Sequence, residues 1–158
     1  MKPFALALSL LFAAPAALAH DLIVGGLHFV HPFIAAPIPG SMSGAAYVVI
    51  ANEGSQADTL LGVETDIAMM SMLHTTIFST DGVARMVELP PVIIEPGGVF
   101  GFEPGAAHIM LMMLTRQLAV GDVVPFTLVF ENAGRIEVEF VVDPADLHEP
   151  AAAMEHMH

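Results

Sequence analysis

The sequence predicts an all-β domain, a sandwich or barrel of about nine strands. Short apolar or alternating runs recur between clusters of Gly, Pro, Asn and Asp, and few windows keep a helical period over a useful length. The breakers also stand where tight turns between such strands are needed.

Taken in order, the expected strands are Leu22 to Val30, Ala45 to Ala51, Thr59 to Thr65, Met70 to Phe78, Val83 to Leu89, Val99 to Phe102, Ala107 to Leu114, Val124 to Glu131 and Arg135 to Val142. The turns between them are Pro37 to Gly40, Asn52-Glu53-Gly54, Asp81-Gly82, Glu95 to Gly98, Glu103-Pro104-Gly105 and Asn132-Ala133-Gly134. Phe126 to Phe140 reads as the cleanest hairpin.

Ahead of the strands, Lys2, the apolar run Phe4 to Phe12 and Ala17-Leu18-Ala19 read as a signal peptide over residues 1–19, which directs export to the periplasm. That run is roughly half of the ~20 residues needed to span a bilayer, and no later segment qualifies, so no membrane span is expected after signal removal. Residues 20–143 then form one domain, and residues 144–158 a flexible tail with no strand signal. The mature protein is expected to be a monomer.

Loss of Lys2 with the leader takes the formal net charge from −13 to −14, which excludes binding to a phosphate backbone. The 158 residues contain no cysteine, so a metal site would have no thiolate and no disulfide framework is available.

Chemistry concentrates between His74 and Met110. His108 and Met110 are two residues apart on one strand and share a face. His74 and Met86 lie on the two arms of a hairpin. If its loop is Thr80-Asp81-Gly82, with Gly82 left-handed, Ser79 pairs with Val83 and Met86 falls opposite Thr76. His74 and Met86 then share a face at the diagonal cross-strand separation of roughly 7–8 Å.

Two imidazoles and two thioethers form a soft, uncharged set suited to Cu(I), whereas Mg²⁺ and Ca²⁺ require oxygen ligands and structural Zn²⁺ usually recruits thiolates. The bland alternative is that the methionines fill core gaps and the histidines are ordinary hydrogen-bonded ones.

Met69, Met70, Met72, Met112 and Met113 crowd the same strands and are expected mostly in the core, with Met72 and Met112 as reserve ligands. The tail residues His148, Met154, His156, Met157 and His158 form a candidate second site for Cu(I) or Cu(II). His28 and His31 read as structural. His20 would be the mature N-terminus, with only its amine and ring to offer a metal. Gly40-Ser41-Met42-Ser43-Gly44 has Met where a nucleophile elbow needs its nucleophile, and no enzyme activity is expected.

Met86, twenty-one intervening residues and His108-Ile109-Met110 resemble the motif of the PCu(A)C family of periplasmic copper chaperones. His31-Pro32, Gly44-Ala45-Ala46-Tyr47, Asp81-Gly82 and Pro96-Gly97-Gly98 extend the likeness to about Val142. Two departures stand out. Eleven residues separate His74 from Met86 where the family has ten, and Phe33 and Ala35 replace the usual Trp and Arg.

The resemblance implies a cupredoxin-like Greek-key barrel or sandwich holding Cu(I) through His74, Met86, His108 and Met110. It further implies delivery to the copper centre of cytochrome c oxidase during assembly, with the oxidase's copper-accepting domain or a Sco-type protein as partner. The alternative reading is an extracytoplasmic copper-sequestering or tolerance protein that holds copper without specific delivery.

Overall fold

Eleven strands run from Leu22 to Asp143 in the computed structural model, which describes residues 21–148. They are β1 Leu22–Val24, β2 Leu27–Ala35, β3 Ser43–Asn52, β4 Asp58–Glu64, β5 Ala68–Phe78, β6 Ala84–Glu88, β7 Val92–Ile94, β8 Val99–Phe102, β9 Ala107–Leu114, β10 Val123–Phe130 and β11 Arg135–Asp143. The expected signal peptide lies outside the described residues, as does the tail beyond His148. Where the sequence predicts tail from Pro144, a 3-10 turn spans Ala145–His148.

Two elements differ from the sequence expectation. Leu22 to Val30 is a hairpin, because Gly25 and Gly26 both take positive φ, 60° and 86°, and reverse the chain within the apolar run. β7 went unpredicted because Val92–Ile94 is only three residues long and stands between Pro90-Pro91 and Glu95-Pro96.

The strands are ordered β6-β5-β9-β3-β2-β11-β10-β4-β7, with β1 beside β2 and β8 beside the second half of β3. Every pairing is antiparallel except β2 with β11, which joins the early and late strands of this all-β fold. No unbroken ladder closes this sheet into a barrel. Its halves are drawn together instead where β5 passes β4, with Ser71 Oγ donating to the Val63 carbonyl.

Alternation builds one continuous core. On β10 and β11, Val124, Phe126, Leu128 and Phe130 meet Ile136, Val138, Phe140 and Val142, all buried, while the residues between them face outward. Phe29 packs edge-on against Phe130, joining β2 to β10, and Ile109 and Leu111 bring β9 into the same cluster.

Two buried polar residues hold the loops at one end. Asp58 accepts backbone N–H bonds from Thr59 at 2.8 Å, Asn132 at 2.9 Å and Ala133 at 2.8 Å. Asn52 donates to the carbonyls of Gln56 and Ile94 and accepts from Gly54 N–H, fastening β3 to β7.

Candidate metal centre

β5 is flanked by β6 on one side and β9 on the other, and it sets the register of both. The β5–β6 hairpin has the three-residue loop expected from the sequence. Gly82 sits at φ 77°, its N–H donates to the Ser79 carbonyl, and Ser79 N–H donates to the Val83 carbonyl at 3.0 Å. Thr76 therefore pairs with Met86 and His74 with Glu88.

Across the other ladder His74 pairs directly with His108, and Met72 directly with Met110. Direct partners share a face, and so do residues two apart on one strand. His74, Met86, His108 and Met110 accordingly lie on one face of β6-β5-β9, with Met72 and Glu88. The opposite face of the same strands carries Leu73, Ala107, Ile109 and Leu111 into the core.

The two imidazoles stand edge to face, with ring centroids 6.0 Å apart and planes at 86°. His108 is buried. Its Nδ1 lies 3.3 Å from the Ala106 carbonyl, which can only accept, so Nδ1 carries the proton and Nε2 keeps its lone pair. That Nε2 is buried without a hydrogen-bond partner, and so is Nδ1 of His74. An unpartnered buried nitrogen costs about 1–3 kcal/mol. The two nitrogens stand on neighbouring rings, and on His108 one nitrogen's proton is fixed while the other nitrogen is left free, the usual arrangement of a metal-binding histidine.

Among the described residues no three His, Cys, Asp or Glu gather closely enough to hold an ion. Any site built on the histidine pair must be completed by other atoms, and on that face the side chains around it are the thioethers of Met72, Met86 and Met110, with the Glu88 carboxylate opposite His74. Met86 is 61% exposed on the sheet's edge strand, while Met72 and Met110 are half-buried.

The expectation that most of Met69, Met70, Met72, Met112 and Met113 fill the core is not met. None of the eight methionines among the described residues is buried. Alternation gives the inward positions to Leu73, Ile109 and Leu111. Met113, at φ 54°, breaks the alternation, so that Met112 and Met113 are exposed consecutively.

His28 and His31 behave as structural histidines. His28 Nδ1 lies 3.1 Å from a Glu53 carboxylate oxygen, and His31 Nε2 lies 3.6 Å from Asp143 on a bulge in β2. His148 ends the 3-10 turn, whereas His20, Met154, His156, Met157 and His158 lie outside the described residues. Glu88 was missed in the sequence, although it stands two residues after Met86 and so shares its face.

The profile of the family described as "Putative lipoprotein LpqE-like" matches residues 27–142. A curated relative, "Putative lipoprotein Lxx21020" of Leifsonia xyli subsp. xyli, is 32% identical over 94 residues, 59% of this chain; the match spans just over half the relative's length, 56%.

Among solved structures, the apo PCuAC domain from PmoF1 superposes with a TM-score of 0.69 at 29% identity, over 79% of this chain and 99% of that one. The Cu(I) form of DR1885 from Deinococcus radiodurans superposes with a TM-score of 0.59 at 31% identity, over 79% of this chain and 81% of that one. The copper-bound PCuAC domain from PmoF2 shares the fold, with a TM-score of 0.67 at 24% identity over 79% of this chain and 98% of that one.

Proposed function

The chain belongs to the LpqE-like family and has the fold of PCuAC domains, and from that premise we propose that it is an exported copper chaperone rather than an enzyme. Its cargo is Cu(I), carried through His74, Met86, His108 and Met110. The observation that carries this reading is the pair of unpartnered buried nitrogens, His74 Nδ1 and His108 Nε2, on the face that also bears the thioethers. Copper in the names of similar structures supports the choice of cargo.

Neutral imidazoles and thioethers bind a soft monovalent ion without building a charged cage. Each thioether is a weak ligand by itself, so a partner's groups can replace them one at a time and the ion need never be free. The periplasm is the compartment this reading assigns. The acceptor we propose is the copper-accepting domain of cytochrome c oxidase or a Sco-type protein. The acidic surface would raise the rate of encounter with a basic patch on that partner, an effect that fades with salt.

The test is a Cu(I) titration against a competing chelator for the full chain and for the His108→Ala and Met110→Ala variants. Each variant is expected to bind at least ~100-fold more weakly, about 2.7 kcal/mol. Variants as tight as the parent would remove these ligands from consideration. Mixing the loaded chain with an apo acceptor domain then separates delivery, in which the copper moves, from sequestration, in which it stays.

A further inference from the structure

Beside the histidine pair, the same outer face continues as a run of thioethers. Met72 lies directly across from Met110, and one row further Met70 lies directly across from Met112. The next strand offers only Ala45 opposite Met110 and Ser43 opposite Met112, so nothing bulky covers these side chains from β3. Met70 is 45% exposed and Met112 36%. Met69, Met113 and Met42 are exposed at the same end, and the Met42 carbonyl accepts from Leu114 N–H at 3.0 Å.

The packing requires none of this. A methionine in a β-domain ordinarily fills an irregular gap in the core, and here none of the described ones does so. A cluster of exposed apolar side chains of a single chemical type on one face calls for a ligand or partner that uses that chemistry. Thioether sulfur is a neutral, polarisable donor that selects soft cations.

We propose that Met70, Met72 and Met112 form a second site for a soft monovalent cation, distinct from the one on the histidine pair and made of thioethers alone. Directly opposed side chains start about 4.5–5.5 Å apart at Cβ, and the diagonal neighbour Met72 is within reach of a long side chain, so three sulfurs can converge. The row of Met70 and Met112 stands two rows from that of His74 and His108, about 13 Å along the strands, which is too far for one ion to be shared. Met110 lies between the rows. The face then holds two ions in series, a weaker thioether site leading to a site with two imidazoles.

The full chain, labelled with 13C at the methionine methyl groups, is titrated with Ag(I), which has the charge and closed shell of Cu(I) but does not oxidise in air. Met70→Leu and Met112→Leu assign the two resonances; both positions are exposed, and Leu keeps the volume. The Met86 and Met110 methyls are expected to move with the first equivalent, and those of Met70 and Met112 with the second. In the His74→Ala/His108→Ala variant the Met70 and Met112 response is expected to persist. In Met70→Leu/Met112→Leu the second equivalent is expected to bind at least ~10-fold more weakly, about 1.4 kcal/mol.

The proposal is overturned if the Met70 and Met112 methyls stay in place through three equivalents, or if their response disappears with the two histidines. A response at Met70 and Met112 with none at Met86 and Met110 would instead remove the ligand set of the chaperone reading and leave the thioether site standing.

Discussion

His74 and His108 are direct cross-strand partners whose rings meet at 86° with centroids 6.0 Å apart, and each buries a nitrogen that no protein atom satisfies. A pair arranged for stability would not leave both nitrogens bare.

His108→Phe should therefore separate stability from binding. The Ala106 carbonyl keeps its bond from Thr76 N–H at 3.2 Å when the imidazole is removed, so the substitution eliminates an unsatisfied atom and creates none. Urea denaturation of the metal-free variant is expected to show about 1 kcal/mol of added stability, with Cu(I) binding lost. A destabilised variant would mean that His108 contributes to folding.

Gly82 is open on all sides, with nothing within 4 Å of an added Cβ, so Gly82→Ala isolates the backbone cost of φ 77°. A loss of about 1 kcal/mol is expected by thermal melting, with metal affinity unchanged. Deleting Thr80 should do the reverse: a loop shorter by one residue turns Met86 to the other face, and Cu(I) affinity falls while the core stays intact. Unchanged affinity in the deletion would exclude Met86 as a ligand.

Asp58 satisfies three backbone N–H groups from a buried position, one on its own strand and two in the β10–β11 turn. Asp58→Ala leaves all three without a partner, and a loss of roughly 3 kcal/mol in equilibrium unfolding is expected. A loss below about 1 kcal/mol would show that solvent reaches those groups.

The Arg135 guanidinium grips Glu64 through two bonds, of 2.9 and 2.6 Å, and holds its carboxyl below the ordinary 4.5. A depressed carboxyl contributes stability that is complete above its unfolded value and is lost as the pH falls through the folded one. Melting scans of Glu64→Gln are therefore expected to show a small deficit at pH ~7 that closes below pH ~4. A deficit of the same size at pH ~3 would assign the effect to something other than this charge. Asp122 follows the same rule, held low by the Ala119 N–H first and by Arg116 second.

Much of this architecture was legible because period-two alternation is strong here. All nine expected segments contain strand, and even the hairpin register followed from the placing of Asp81-Gly82. Alternation describes each strand alone, however, and does not say which strand lies beside which. Nothing local to His74 announces that its neighbour is His108 rather than a residue of another strand, so the pairing of the two rings, and of Met72 with Met110, had to come from the assembled sheet. The methionines were misjudged for a related reason: hydrophobicity predicts burial only until the inward positions are taken, and here Leu73, Ile109 and Leu111 take them.

β6 has a neighbour on one side only, whereas β5 and β9 are both interior strands. In the proposed ligand set His74, His108 and Met110 thus belong to a fixed jaw, and Met86 to a movable one. Fraying of the outer strand lowers the ion's coordination from four to three without disturbing the core beneath. The rate at which copper changes hands would then be set by the stability of one short hairpin, and strengthening that hairpin would make a tighter but slower carrier.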